Sequence, residues 1–295
     1  MRKNILVSVI CLTYNHYRYI SQTLDSILAQ DCDFELEIIL HDDASIDGTV
    51  DVIKSYKEKY SCIKTIFREN NMFQKGYDFW NDIINCCSGD YLAFCEGDDY
   101  WVDTLKLKKQ IDFLEKNPDY VIHVFDSYIE ENGSIIKNIG KLEYLNIKKG
   151  TYDKEDLKNE FVLMPLTSCV RNSKDLYHPR YFSKSINGDN KLQLLLSEKG
   201  NAFVDDSEKV AVYRIISSGI WSSKDKTYRM YEMAHTQLVT AQYFYNKDPI
   251  ESKIKLSKLV VMLLSNIGII FFIKYSLVFL FNRMKSIFSK LSDYF

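Results

Sequence analysis

Short apolar runs alternate with amphipathic segments along the first half of the chain. The runs are rich in β-branched residues and predict buried strands, whereas apolar residues spaced three and four positions apart predict helices. Predicted strands cover 5–12, 35–40, 62–67, 91–95 and 120–125, and predicted helices cover 19–30, 49–59 and 104–116. Strands separated by helices of this length favour right-handed crossovers. The pattern therefore predicts an α/β fold with a Rossmann-like, mostly parallel sheet flanked by helices.

The second half of the chain gives fewer signals. Asn132-Gly133 lies between two β-prone runs and predicts a hairpin over 127–140, and the apolar run 161–170 predicts a return to the sheet. Helical spacing recurs over 189–200 and 228–246, whereas 141–158 is polar and predicts no element. We therefore divide the chain into a domain over 1–222 and a helical C-terminal extension over 223–295.

Polar loops directly follow three of the predicted strands. They are Thr13–Asn15, Asp42-Asp43 and Glu96–Asp99. Parallel strands end at the same edge of a sheet, and ligands bind there because helix amino termini also point to that edge. We therefore expect the three loops to meet at one rim.

The last of these loops carries three carboxylates, Glu96, Asp98 and Asp99, spaced by one glycine. Carboxylates this close repel one another unless a hard divalent cation compensates their charge. An acidic surface turn is the alternative, because such turns are common. The polar loops after the neighbouring strands favour the metal site.

Composition narrows the possible partners. The chain has 38 Lys and Arg against 40 Asp and Glu, a net charge of -2, and so lacks the basic footprint of a nucleic-acid-binding protein. Seven cysteines without a C-x-x-C pair argue against disulfides and thiolate zinc sites, which favours a reducing, cytoplasmic compartment. The basic and apolar start resembles a signal peptide, but 13–16 lacks small cleavage residues, so we interpret it as a first strand.

The C-terminal segment combines apolar and basic residues. Its apolar run 259–273 is short for a membrane span and is followed by Lys274. Over 277–291 apolar residues fall on one helical face, and Arg283, Lys285 and Lys290 fall on the other. This pattern predicts peripheral binding to an anionic membrane surface, at the inner face of the cytoplasmic membrane. Packing against the preceding domain, or against a partner in a homodimer, is the alternative.

Five separated motifs occur between Val7 and Ser222. They are VSVICLTYNHYRYISQTLDSILAQ, HDDASIDGTVDVI, GDYLAFCEGDDYW followed by KLKKQIDFLEKNPD, GDNKLQLLLSEKG, and VYRIISSGIWSS. As a set they resemble family 2 glycosyltransferases, and in particular a bacterial branch with EGDDYW. The resemblance implies a GT-A fold, a nucleotide-sugar donor that we expect to be a UDP-sugar, a Mn or Mg ion, and inversion at the anomeric carbon. It makes 1–125 the nucleotide-binding half and 126–222 the acceptor half.

The resemblance also assigns roles to single residues. The positions that contact the nucleotide are Thr13, Tyr14 and Asn15, with Asp43 at the base imide and Glu96 on the ribose side. The positions that carry the chemistry are Asp98 and Asp99, which approach the metal, and Asp189, which aligns with the catalytic base. Spacing alone favours a plainer role for Asp189, that of a helix N-cap.

The segment from Tyr213 to Trp221 combines an arginine, hydroxyls, a glycine and an indole. We interpret it as a segment that closes over the diphosphate or the acceptor sugar, with Arg214 and Trp221 as binding residues, and a plain loop is the alternative. Relatives usually have a histidine where this chain has Ile216, and an apolar side chain binds neither an anion nor a metal.

Three functions compete at this point. The first is sugar transfer to a hydroxyl of a growing surface polysaccharide or a lipid-linked glycan. The second, a sugar-phosphate nucleotidyltransferase, requires a Gly-rich loop for a triphosphate, and 12–18 contains no glycine. The third is a catalytically weak, membrane-associated binding or scaffold protein of the same fold, an alternative that Ile216 keeps open.

Overall fold

The computed structural model describes residues 6–73, 80–136, 139–173, 176, 188–216 and 225–267. The chain forms two compact units, Met1–Lys224 and Asp225–Phe295. The first unit is built on one mixed sheet with helices packed against it, and the second unit is helical where it is described. This architecture confirms the predicted α/β class and the helical C-terminal segment.

In the described residues the sheet of the first unit has ten strands. These are β1 Leu6–Thr13, β2 Glu35–Asp42, β3 Ile63–Phe67, β4 Tyr91–Phe94, β5 Tyr100–Trp101, β6 Tyr120–Glu131, β7 Ser134–Ile135, β8 Gly150–Tyr152, β9 Ser168–Arg171 and β10 Asn201–Ile215. The main order is β3-β2-β1-β4-β9-β6-β10-β5, with β7 beside β6 and β8 beside β10. β1, β2, β3 and β4 pair in parallel, whereas β9 is antiparallel to both β4 and β6.

Helices connect these strands and flank the sheet. In the first unit they are α1 Ile20–Leu28, α2 Thr49–Lys59, α3 Trp80–Cys86, α4 Lys106–Lys116, α5 Lys141–Tyr144, α6 Lys154–Asn159 and α7 Gly188–Ser197. The predicted helices near α1, α2, α4 and α7 are thus confirmed. The short helices α3, α5 and α6 were not predicted, because segments of one or two turns carry too few positions to show a period.

The core fixes the position of the first polar loop. Alternate residues of β1 face the inner side of α1, and the two sets are Val7, Val9 and Cys11 with Ile20, Leu24 and Ile27. Each of the larger side chains contributes about 1.5–3 kcal/mol by leaving water. The turn between β1 and α1, residues 14–19, is therefore held at both ends.

Two strands differ from the sequence expectation. β6 continues to Glu131, beyond the predicted end at 125, and then turns into β7 through Asn132 and Gly133. These two residues have φ of 52° and 74°, the left-handed values that an Asn-Gly hairpin favours, so the predicted hairpin is confirmed. β10 spans Asn201–Ile215 and includes Arg214, which the sequence predicted in a closing segment or a plain loop and not in a strand. Its register against β6 shifts around 205–211, and such irregularity hides a strand's period of two.

The second unit contains α8 Lys226–Phe244 and α9 Pro249–Ile267. A buried ion pair within α9 joins Lys255 Nζ to Glu251 Oε1 at 3.1 Å, and Ser252 Oγ donates to the carbonyl of Ala241 on α8 at 2.8 Å. None of the helices in the described part of the chain is both long and apolar enough to cross a bilayer. The predicted membrane-binding face over 277–291 and Trp221 lie outside the described residues.

Candidate active site

The carboxyl ends of β1, β2 and β4 form one rim of the sheet. β1 pairs in parallel with both neighbours, and its last residue, Thr13, lies opposite Asp42 of β2. The amide of Gly97, just after β4, donates to the carbonyl of Leu12 at 2.8 Å. The amide of Asp43 donates to the carbonyl of Thr13 at 3.0 Å. The expected meeting of the three polar loops is therefore confirmed.

Asn15 connects the first two loops. Its backbone takes the left-handed conformation with φ of 57°, which asparagine tolerates better than most residues. The Asn15 amide donates to Ser45 Oγ at 2.8 Å, and its side-chain oxygen accepts from the amide of Ile46 at 2.9 Å. Thr13 is buried and Tyr14 is partly exposed beside it. The loop that the resemblance assigns to the nucleotide is thus rigidly held.

Asp43 is buried and its carboxylate is already engaged. One oxygen accepts from the amide of Met72 at 2.8 Å, and the other accepts from the amide of Phe73 at 3.0 Å. These bonds hold the segment that follows β3 against the rim. A carboxylate oxygen accepts more than one hydrogen bond, so contact with a nucleobase stays a prediction that this geometry allows.

The acidic cluster consists of Glu96, Asp98 and Asp99, whose ligand atoms lie within 4.8 Å of one another. Glu96 is exposed, Asp98 is half-buried, and Asp99 is 1% exposed. The side chain of Glu96 is in contact with solvent, but partial loss of hydration, followed by the negative charge of Asp98, raises the pKa of Glu96 to about 7. Burial likewise raises the pKa of Asp98 to about 6 and that of Asp99 well above its usual range. Three carboxylates that lie this close repel one another, and such a group suits a hard divalent cation.

Hydrogen bonds from α1 hold the acidic cluster in place. The Thr23 hydroxyl of α1 contacts the carbonyls of Gly97 and Asp99, at 3.1 and 2.6 Å. Gly97 also packs closely on the first loop, because an added Cβ would lie 2.8 Å from His16 Nδ1 and 3.0 Å from Thr13 Cβ. The backbone of the acidic loop therefore sits where only glycine fits.

Gly97→Ala is expected to lower both stability and affinity for UDP with Mn. The new methyl group must push the acidic loop away from His16, and overpacking of this kind costs roughly 1–3 kcal/mol. Thermal unfolding with and without UDP and MnCl2 measures both effects. Gly133→Asn is the control, because Gly133 has open space around it and asparagine accepts its φ of 74°. Equal ligand-induced shifts in Gly97→Ala and the wild type would contradict this expectation.

Arg214 braces the acidic cluster from β10. Its amide donates to Asp99 Oδ1 at 2.8 Å, and its Nη1 donates to the carbonyl of Asp98 at 2.8 Å. Its Nε donates to Glu130 Oε1 at 3.2 Å, and Nη2 donates to Gln22 Oε1. The guanidinium is 7% exposed and is occupied by protein acceptors, so the structure gives it a supporting position. Direct contact with a diphosphate stays a prediction, and Trp221 lies outside the described residues.

Asp189 lies in the first turn of α7, after its first residue Gly188. It is therefore inside the helix, and the N-cap alternative is wrong. One carboxylate oxygen accepts from the amide of Asn190 at 2.8 Å, and burial raises the pKa of Asp189. Its charge interacts with those of Glu96 and Lys141, so it lies within electrostatic range of the acidic cluster. Gly188 lies against the Trp80 indole, where an added Cβ would come 1.8 Å from Nε1, so close packing sets this position.

Two further residues belong to the site and were missed from the sequence. His16 Nε2 lies 3.8 Å from Asp98 Oδ2, and burial lowers the pKa of His16. Lys141, the first residue of α5, interacts electrostatically with the cluster and with Asp189. It comes from the polar segment 141–158, which carries no pattern that would have marked it.

The fold is α/β, and the site is a carboxylate cluster at the carboxyl ends of parallel strands. The model of Glycosyl transferase family 2 matches residues 8–175. The chain therefore belongs to glycosyl transferase family 2, as its motifs predicted. The subdivision marked by EGDDYW stays a prediction.

Relatives and solved structures agree with this membership. An uncharacterized Mycobacterium tuberculosis protein is 38% identical over 117 residues, 39% of this chain and 33% of that protein. The Escherichia coli UDP-Glc:alpha-D-GlcNAc-diphosphoundecaprenol beta-1,3-glucosyltransferase WfaP is 33% identical over 167 residues, 52% of this chain and 63% of that enzyme. The matched segment thus covers about a third of the length of the M. tuberculosis protein, 33%, and just under two thirds of the length of the E. coli enzyme, 63%.

A solved structure supports the fold. The crystal structure of S. aureus TarS 1–349 in complex with UDP-GlcNAc has a TM-score of 0.63 and 21% identity to this chain. The likeness covers 89% of this chain and 73% of the TarS chain. With family membership, it confirms the predicted GT-A fold.

Proposed function

We propose that the protein transfers a sugar from a UDP-sugar to a hydroxyl of a surface polysaccharide or lipid-linked glycan, with inversion at the anomeric carbon. The observation that carries this proposal is the acidic cluster at the rim that Thr13–Asn15 and Asp43 also form, together with the electrostatic interaction between Asp189 and Glu96. Family membership supports sugar transfer. The name of the E. coli relative supports a UDP-sugar donor and a lipid-linked acceptor, and the TarS complex holds UDP-GlcNAc.

The residues present fit a divalent Mn or Mg ion. The ligand atoms of the acidic cluster lie within 4.8 Å of one another, and the pKa of each of the three carboxyls is raised, first by loss of hydration. We assign the ion to Asp98 and Asp99, and the ribose side to Glu96. When bound, the ion would offset the charge that develops on the departing diphosphate.

The protein's own groups position the donor and move one proton. Asn15 and Asp43 hold two loops rigidly at the rim, which limits the poses open to a nucleotide. Asp189 takes the proton from the acceptor hydroxyl. At the same time the hydroxyl oxygen bonds to the anomeric carbon, and the bond from that carbon to the diphosphate oxygen breaks. Attack from the face opposite the leaving group gives inversion. Burial raises the pKa of Asp189, which makes its carboxylate a stronger base.

UDP with MnCl2 is expected to raise the unfolding temperature of the full chain. A ligand present at a hundred times its dissociation constant adds about 2.7 kcal/mol to the stability of the folded state. UDP alone should add less, because the acidic cluster would then repel the diphosphate. The measurement is thermal unfolding with UDP, MnCl2, both, or neither.

A panel of nucleotide sugars then distinguishes the reactions. Incubation of the full chain with MnCl2 and each sugar should release a nucleoside diphosphate from one donor, by slow hydrolysis or by transfer to added lipid-linked acceptor. Release of a nucleoside triphosphate on adding pyrophosphate would instead indicate a nucleotidyltransferase. A protein that is stabilised by no nucleotide and cleaves no donor would be the scaffold alternative.

A further inference from the structure

The ammonium of Lys141 lies on an aromatic ring near the acidic cluster. Its Nζ lies 2.7 Å from the centre of the Tyr213 ring, and Tyr213 itself interacts with the charges of Asp99, Glu96 and Asp98. Across the described residues, no hydrogen bond or ion pair within 4.0 Å joins Nζ to a protein acceptor. A lysine ammonium has three donors. Apart from the contact with the Tyr213 ring, those of Lys141 therefore have no protein partner in the described parts of the chain.

The positive charge of Lys141 acts on all the carboxylates of the site. Its charge lowers the pKa of each of four carboxylates, and these are Glu96, Asp98, Asp99 and Asp189. Tyr213, on whose ring the ammonium lies, directly precedes Arg214, and the Arg214 amide donates to Asp99 Oδ1 at 2.8 Å. Lys141 therefore lies next to the acidic cluster, and its charge also acts on Asp189. In the proposed reaction this is where the bond between sugar and diphosphate breaks.

The backbone around Lys141 is built to keep it there. Leu142 is 2% exposed, and its amide donates to Asp126 Oδ1 at 2.9 Å. The preceding Gly140 lies so close to Asp126 that an added Cβ would come 1.7 Å from Oδ2. Asp126 belongs to β6, so α5 is tied to the central sheet. A surface lysine would need no such support.

The cations of the described site differ in how far their donors are already engaged by the protein. Arg214 is paired with Glu130 at 3.2 Å, and its other guanidinium donors go to the carbonyl of Asp98 and to Gln22 Oε1. A diphosphate arriving at the ion brings further negative charge and many acceptor oxygens. Lys141 is the cation in the described site whose donors are open to those oxygens.

We infer that Lys141 binds the diphosphate of the donor and stabilises it as the leaving group, together with the divalent ion. This inference rests on the proposed function. An alternative is that Lys141 binds the acceptor, and another is that it serves only to offset the carboxylates.

The test compares ligands that differ in their phosphates. Binding of UDP, UMP and uridine is measured by calorimetry in the presence of MnCl2, for the wild type, Lys141→Met, Lys141→Arg and Lys148→Met. Lys148 is an exposed lysine seven positions away and is the matched control. Lys141→Met should weaken UDP binding roughly tenfold to a hundredfold, as expected for a lost charge-assisted hydrogen bond. Uridine binding should not change, and Lys141→Arg should keep most of the UDP affinity.

Three results would overturn the inference. UDP affinity within twofold of the wild type in Lys141→Met, with a raised KM for the acceptor, would assign Lys141 to the acceptor. Equal weakening of uridine and UDP would show a loss of pocket structure. UDP weakening by Lys141→Arg as large as by Lys141→Met would mean that the charge is not what matters. Wild-type protein that binds no UDP would instead refute the UDP donor of the proposed function itself.

Discussion

Asp98→Asn is expected to lower the rate of sugar transfer about 10²–10³-fold, the usual effect of removing one electrostatic group from a reaction centre. The substitution keeps the size and shape of the side chain but removes one charge from the acidic cluster. The Asp98 carboxylate contacts His16 only at 3.8 Å, so little of the fold depends on it. The same variant should require a higher MnCl2 concentration for half-maximal UDP stabilisation. Transfer assays and thermal unfolding across a MnCl2 series measure the two effects.

A matched control distinguishes loss of the site from loss of charge in general. Asp206→Asn removes an exposed carboxylate whose ion pair with Lys149 Nζ is 3.2 Å long, and surface pairs of this kind contribute about 0–1 kcal/mol. It should keep wild-type activity and MnCl2 dependence. If Asp98→Asn showed the wild-type MnCl2 dependence, Asp98 would not be a metal ligand.

Asp189→Asn is expected to lower turnover about 10²–10⁴-fold while leaving UDP binding with MnCl2 unchanged, because asparagine cannot accept the acceptor's proton. Its amide oxygen can still accept from the amide of Asn190, which keeps the start of α7 in place. Single-turnover transfer measures the chemical step, and calorimetry with UDP measures donor binding. The two readouts separate a base from a residue that holds the nucleotide.

The control for Asp189 lies on the next segment along the chain. Glu198→Gln changes an exposed acid just after α7 and should keep both turnover and UDP affinity. Near-normal turnover of Asp189→Asn with both substrates bound would remove Asp189 from the mechanism. A matching loss of UDP affinity would move it to the donor site.

The parallel half of the fold could be predicted from local sequence. Strands β1, β2 and β4 are apolar runs buried in the sheet, and α1, α2 and α4 have apolar residues at helical spacing. Apolar runs and helical spacing of apolar residues directly indicate which side chains become buried. Once the strands are taken as parallel, the loops after them must meet at one edge, so the positions of Asn15, Asp43 and Asp98 follow without a structure.

The other half of the site could not be predicted in this way. β10 carries Arg214 to Asp99 across 115 positions of sequence, and its register shifts hide the strand in the residue pattern. Lys141 arrives on a four-residue helix from a polar segment, and no periodicity marks it. The contacts that place both residues are made by distant parts of the chain, chiefly Asp126 of β6 for α5 and Asp99 of the acidic cluster for β10.

The α/β class, the rim of polar loops, the acidic cluster and the family could all be predicted from the residue pattern. Each of them depends on residues that are neighbours in the chain or that follow the ends of parallel strands. Tertiary structure alone decided that Arg214 supports the cluster, that Asp189 lies within α7 beside it, and that Lys141 adds a cation. Charges act through space over a few ångströms, and only the folded chain brings these distant segments that close.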